Sequence, residues 1–263
     1  MCRFLAYQGK PLFISDLVCT PSHSLVKQSR DAHEAKTATH GDGFGIGWYG
    51  ARSEPGLYRE ILPAWSDDNL VSLCSQVKSG LFFAHIRSST GTSTIRSNCH
   101  PFSFDKNLFM HNGQIGGYVK IKRHVESMIP DNLYNARFGT TDSEAIFLMA
   151  LANGLILDPI GAMTRTLTAL RQLMNQADIK EPLRFTAAFT DGRRLWAYRW
   201  ACDGRAPSLY YRILQDGIVI ASEPNEINRS SWCKVPQSTV LIANCGLVES
   251  INCLYTYEEK LVA

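Results

Sequence analysis

Apolar and polar positions along the chain predict short strands first, consecutive helices in the middle and strands again at the end. Residues 3–8 (Arg-Phe-Leu-Ala-Tyr-Gln) suit a first strand that ends at Gly9. Over residues 43–49 glycines alternate with Phe44, Ile46 and Trp48, which predicts a strand closely approached on its glycine face. Leu70, Leu73, Cys74 and Val77 recur at helical spacing after Ser66, with Gly80 as the stop. Residues 81–86 then form a strongly apolar strand. In Leu108–Ile115, Asn112-Gly113 lies between apolar residues, and this predicts a tight turn leaving a strand.

A looser helical pattern over residues 119–129 stops at Pro130. Thr141-Asp142-Ser143-Glu144 has capping-box spacing before the run Ala145 to Ala152, and Asn153-Gly154 closes that helix. Pro159 opens a second helix that reaches about Gln176. Residues 185–189 and 195–200 flank Asp191-Gly192, and residues 210–214 and 218–221 flank Asp216-Gly217, so two hairpins follow. This order predicts a layered α+β fold, a pair of sheets with helices outside, rather than alternating βαβ units. No repeat, low-complexity tract or long linker divides the sequence, and residues 1–263 are expected to form one domain.

Composition narrows the function classes. Of 263 residues 45% are hydrophobic and 19% charged, enough apolar content for a sizeable core. The formal charge of +3 is spread without a basic stripe, which argues against nucleic-acid or membrane-surface binding. No apolar run approaches a membrane span, and the short apolar stretch at the N-terminus does not resemble a secretion signal. A cytoplasmic protein with reduced thiols is the expectation. The eight cysteines, at 2, 19, 74, 99, 202, 233, 245 and 253, include no Cys-x-x-Cys pair, so neither a zinc ribbon nor a thioredoxin-type motif is present.

Cys2 stands apart by position. Removal of Met1 would leave it with both a thiol and a free α-amine, whose reference pKa values are about 8.5 and about 7.7–8.0. The amine is then able to act as base for its own thiol. Asn112 and Gly113 offer an amide side chain and a backbone N–H to a developing oxyanion, against the plainer reading of an ordinary turn. Arg87, after the strand at 81–86, can hold a carboxylate by two parallel hydrogen bonds, or be a solvated loop arginine. Thr90 and His100 fall in the loop that follows. Asp142 in a helix first turn is favoured by the helix dipole, but it can also receive an ammonium group. Together Arg87 and Asp142 would grip an α-amino acid by both charged ends.

These elements in this order resemble the class II glutamine amidotransferase domain of the N-terminal nucleophile hydrolases. The matching features are Met1-Cys2, Gly43-Phe44-Gly45-Ile46-Gly47-Trp48, Ala84-His85-Ile86-Arg87 with Thr90, Asn98-Cys99-His100-Pro101, His111-Asn112-Gly113 and Thr141-Asp142-Ser143-Glu144. The opening Met-Cys-Arg-Phe-Leu-Ala-Tyr is most similar to the stand-alone YafJ-type branch. That branch is related to the amidohydrolase of ergothioneine synthesis and to the amidotransferase subunit of a yeast glutathione-degrading complex. The resemblance implies a four-layer αββα sandwich of two mostly antiparallel sheets. It implies Cys2 as nucleophile, Asn112 and Gly113 as oxyanion hole, Arg87 on the substrate α-carboxylate and Asp142 on its α-amine. Thr90 and His100 match positions that line the glutamine pocket. Where synthase-linked members carry Arg-Trp-Ala-Thr-His-Gly, this chain reads Arg87-Ser88-Ser89-Thr90-Gly91, without the aromatic and histidine that help close the site.

The implied reaction is cleavage of the glutamine side-chain amide through a γ-glutamyl thioester, with no metal or organic cofactor. The ammonia would be released to water or to a separate acceptor protein. A second reading has the same residues cleave a γ-glutamyl bond in a peptide or thiol metabolite. A third is a catalytically silent binding or regulatory subunit.

Overall fold

The computed structural model describes residues 2–34, 37–89 and 91–254. In chain order the strands are β1 (Arg3–Phe13), β2 (Phe44–Trp48), β3 (Gly56–Glu60), β4 (Lys78–Ile86), β5 (Phe102–Phe104), β6 (Asn107–Gln114), β7 (Arg184–Thr190), β8 (Leu195–Ala201), β9 (Tyr210–Leu214), β10 (Gly217–Ala221), β11 (Cys233–Lys234), β12 (Thr239–Asn244) and β13 (Leu247–Cys253). The α-helices are α1 (Ser15–Val18), α2 (Leu25–Arg30), α3 (Asp68–Gln76), α4 (Tyr118–Ser127), α5 (Asp131–Tyr134), α6 (Asp142–Ala152) and α7 (Pro159–Gln176).

The strands form two sheets, ordered β11-β9-β10-β1-β4-β2-β3 and β13-β12-β8-β7-β6-β5. Every pairing among the described residues is antiparallel. Period-two patterning gives each sheet two buried faces. On β1, Leu5 and Tyr7 pack with Leu17, Leu25 and Leu70 of α1–α3, while Phe4 and Ala6 meet Leu108, Met110 and Leu241 of the other sheet. The outer face of that second sheet, with Phe109, Phe185 and Tyr198, packs against α4–α7. The result is the expected α+β sandwich, helices outside and two sheets face to face. Helix α6 is apolar on all sides, and every residue from Ser143 to Ala150 is buried, as a helix enclosed by neighbours must be. Among the described residues no helix is long and apolar enough to cross a membrane.

Both predicted hairpins form, β7–β8 and β9–β10, and α7 starts at Pro159 and ends at Gln176. Three local expectations need correction. β1 does not stop at Gly9: it continues to Phe13 through an irregularity against β4, and Gly9 pairs with Gly217. Gly80 does not end α3, which closes at Gln76; Val77 is already extended and Gly80 lies within β4. Asn112-Gly113 is not a turn either, because β6 carries both residues in register with Thr186 and Phe185 of β7. The capping box is half realised. The Thr141 hydroxyl accepts the Glu144 N–H at 3.2 Å, but the Glu144 carboxylate accepts from Arg137, Phe138 and Gly139 instead.

Candidate active site

The inter-sheet layer opens at one end into a small cleft of about 40 Å³ lined by Cys2, Arg87, His100, Gly113 and Asp142 among others. Strand register explains how residues so distant in sequence meet. Arg3 pairs with Ile86 and Phe4 with His85, so one further step of the same ladder puts Cys2 beside Arg87. Cys2 shares parity with Phe4 and Ala6 and therefore faces the second sheet. The glycine face of β2 is what lets the neighbouring loop come close. A Cβ built on Gly45 would lie 2.2 Å from the His100 carbonyl oxygen.

The Cys2 thiol donates to the Ser88 carbonyl at 3.7 Å. Burial pushes its pKa up, while the positive charges of Arg87 and Arg3 pull against that rise. Arg87 is 3% exposed. Its Nη1 donates to the Asp42 carbonyl at 3.1 Å, and its Nη2 donates to the Thr92 hydroxyl at 2.6 Å. The Ser89 hydroxyl and the Thr92 and Ser93 carbonyls complete its hydrogen bonds among the described residues, all of them to neutral oxygens. The Asp42 carboxylate is spent on the Ser89 N–H at 2.7 Å, where it pins the loop after β4.

Asp142, half-buried at the start of α6, accepts the Ile115 N–H at 2.9 Å on one oxygen and the Ser143 N–H at 2.8 Å on the other. These bonds orient the carboxylate toward the cleft without neutralising it. Asn112 is fully buried, and among the described residues neither its amide nitrogen nor its amide oxygen has a partner. β5 pairs only with residues 107–109 of β6, so from Met110 onward that edge of β6 is outside the ladder. Gly113 tolerates no side chain: a Cβ there would sit 2.0 Å from the Arg184 carbonyl oxygen.

His100 reaches the cleft with neither ring nitrogen partnered among the described residues, and its ring centroid lies 4.1 Å from that of His85. Burial keeps both imidazoles neutral, lowering His100 well below its ordinary value and His85 to about 3. The structure thus brings Cys2, Arg87, His100, Gly113 and Asp142 to one cleft, with Asn112 beside Gly113 on β6. Met1 and Thr90 lie outside the described residues.

Reading the sequence missed part of the lining. His111, whose Nδ1 is 2.8 Å from the Ser143 hydroxyl, borders the cleft, as do Ser88, Ser89, Thr92 and Thr141. His111, Thr141, Ser88 and Ser89 all stand in motifs quoted for the resemblance, and that adjacency to Asn112, Asp142 and Arg87 was the available signal; Thr92 carried none. Burial lowers the His111 pKa, against an opposing pull from Asp142. Among the described residues, the group able to offer three ligand atoms to a metal is His23, His33 and Glu223, and none of the three lines the cleft.

The family model described as class-II glutamine amidotransferases matches residues 13–212. The chain is 34% identical to "Probable glutamine amidotransferase DUG3" of Saccharomyces cerevisiae, over 92% of this chain and 81% of that protein. It is 30% identical to "Gamma-glutamyl-hercynylcysteine sulfoxide hydrolase" of Mycolicibacterium smegmatis, over 90% and 92% of the two chains. The solved structure of a glutamine aminotransferase class-II domain protein from Silicibacter pomeroyi superposes with a TM-score of 0.77 at 36% identity, covering 97% of this chain and all of that one.

Proposed function

The chain belongs to the class II glutamine amidotransferase family, and from that premise we propose that it is an amidohydrolase that cleaves the γ-amide of a glutamyl group, with glutamine as its simplest substrate. The observation that carries the reading is Arg87, a buried cation that among the described residues meets only neutral oxygens, beside a thiol and a carboxylate. A buried charge is costly unless it is paired, and the α-carboxylate of an amino acid supplies the missing anion. Asp142 stands in the same cleft to receive the α-amine.

With Met1 removed, the Cys2 amine takes the thiol proton and the sulfur attacks the γ-carbonyl carbon. The oxyanion that forms is received by the Asn112 amide and the Gly113 N–H. Collapse of that adduct expels ammonia, or an amine, which leaves with the proton held on the Cys2 amine. Water then adds to the thioester, the same amine again moving the proton, and glutamate departs. His100, its ring nitrogens without a partner among the described residues, faces the substrate.

The second substrate reading is a larger γ-glutamyl compound, favoured by the sulfoxide hydrolase among the relatives and by Ser88 standing where synthase-linked members carry a tryptophan. Measuring ammonia release from glutamine beside glutamate release from γ-glutamyl peptides separates the two. Cys2→Ala is expected to abolish turnover of both, and to abolish labelling by a glutamine-like electrophile. A Cys2→Ala protein that turns over as the wild type does would sink the nucleophile assignment.

A further inference from the structure

Glu223 lies two residues beyond β10, and its side chain is fully buried. One carboxylate oxygen accepts from Arg3 Nε at 2.9 Å and from the Glu34 N–H at 3.0 Å. The other lies 2.7 Å from His23 Nε2, accepts the His33 N–H at 2.9 Å and sits 3.6 Å from the Arg229 guanidinium. These contacts occupy the lone pairs of the carboxylate. They also argue against a metal there. The His23 and His33 rings stack with centroids 4.3 Å apart and planes 21° apart, so their in-plane lone pairs run side by side rather than converging.

What the carboxylate gathers instead is chain. Arg3 follows Cys2 directly, and its Nη1 donates to the Cys2 carbonyl at 3.1 Å. Three residues after Glu34, the Thr37 hydroxyl lies 3.1 Å from the Ser88 hydroxyl, and the Ser88 carbonyl accepts the Cys2 thiol. A residue at the very start of a chain frays unless it is tied down. We infer that Glu223 is a positioning residue for Cys2: it fixes Arg3, which fixes the Cys2 carbonyl and with it the direction of the amine and thiol. The inference rests on Cys2 being the nucleophile.

The same carboxylate masks the Arg3 charge. The other titratable or charged groups around Cys2 are Arg87 after β4, Cys99 and His100 before β5, His111 on β6 and Asp142 on α6. Around Glu223 they are Arg3, His23, His33 and Arg229, with the Glu34 carboxylate paired to Arg229 and also acting on Arg3. Glu223→Gln leaves all of these in place and partly unmasks Arg3. The less compensated cation makes both the Cys2 ammonium and its thiol give up protons more readily, which moves the rising limb of the pH–activity profile to lower pH.

The test uses processed full-length protein, with glutamate release from glutamine followed across pH and Cys2 labelled by a diazoketone analogue of glutamine. Activities are normalised to folded protein by circular dichroism. For Glu223→Gln the expected result is a fall in kcat of about 100-fold, the scale of a misplaced reacting group, with KM nearly unchanged and the rising limb displaced to lower pH. Glu223→Asp should recover part of the loss. Should Glu223→Gln not fold, Arg3→Lys removes the contact to the Cys2 carbonyl while keeping the charge, and it should lower kcat without raising KM. Wild-type kcat per folded molecule in the variant that folds, or a loss that tracks the folded fraction with the limb unmoved, overturns the inference while leaving the nucleophile reading intact. A wild-type protein that neither labels at Cys2 nor releases glutamate overturns both.

Discussion

Two buried arginines adjoin Cys2, and they are opposites. Arg3, with none of its side chain exposed, is paired to the buried Glu223. Arg87, 3% exposed, meets only hydroxyl and carbonyl oxygens among the described residues. Both burials cost desolvation, but among those residues only Arg3 finds an anion to offset it. A buried ion pair complete within the protein holds structure. A buried cation held in place by neutral dipoles is a site that a ligand completes. The orphaned amide of Asn112 belongs with Arg87 in this respect, and the saturated carboxylate of Glu223 with Arg3.

The sharpest way to break that contrast is to neutralise each arginine. Arg87→Gln should lower kcat/KM by on the order of 1,000-fold, since losing one member of a desolvated charge pair costs about 2–5 kcal/mol. Its stability should change by no more than about 1 kcal/mol, because no buried anion is stranded. Arg3→Gln should instead take one charged partner from the buried Glu223, which keeps His23, Arg229 and the His33 and Glu34 amides, and cost about 1–3 kcal/mol of stability. Urea unfolding beside steady-state kinetics reads both effects. An active Arg87→Gln, or an Arg3→Gln as stable as the wild type, removes the distinction.

Asn112→Ala comes next. Loss of an oxyanion donor lowers kcat by roughly 100- to 1,000-fold, whereas stability should be little changed because the deleted amide has no partner to abandon. If unfolding shows a loss above about 2 kcal/mol with kcat intact, Asn112 is structural.

How far the sequence made these roles visible follows from how local each one is. The hairpins at Asp191-Gly192 and Asp216-Gly217, the Pro159 start of α7 and the Thr141 cap are set by neighbouring residues, and all were legible. Asn112-Gly113 deceived because a dipeptide carries turn chemistry, but β7 and the missing side chain of Gly113 hold it extended. β5 and β11 are short, β3 is half-buried throughout and β13 mixes exposed and half-buried positions, so none has the apolar contrast that marks a strand. Cys2, Arg87, His100, Gly113 and Asp142 were legible through motif order. Glu223 was not, since its tie to Arg3 spans 220 residues and leaves no local pattern.

The Glu223 side of the contrast carries a pH signature. Burial alone would raise its pKa, but the donors from His23, the Glu34 and His33 amides and Arg3 outweigh burial and hold it at about 2. A carboxylate depressed in the folded state stabilises fully above its unfolded value, and that contribution is lost as pH falls from about 4.5 toward 2. The contribution at neutral pH is about 3 kcal/mol at most. Urea midpoints at pH 7, 4 and 2.5 should therefore fall less steeply for Glu223→Gln than for the wild type. Parallel curves would mean that Glu223 takes no part in acid unfolding.

The smallest expected effect tests whether the rule extends beyond charges. His111 is paired through Ser143, so Ser143→Ala should cost about 1 kcal/mol, the worth of one buried hydrogen bond. His100 reaches the same cleft with both nitrogens unfilled and is kept neutral by burial. Replacing it with Leu strands no partner, so stability should stay within about 1 kcal/mol, while KM should rise about tenfold as one substrate hydrogen bond is lost. A His100→Leu protein destabilised by about 3 kcal/mol or more with KM unchanged would mean that its nitrogens are satisfied internally, by ordered water rather than by substrate. An unfilled buried donor would then cease to mark a ligand site at this end of the sandwich, and Arg87 would need its own direct proof by carboxylate binding.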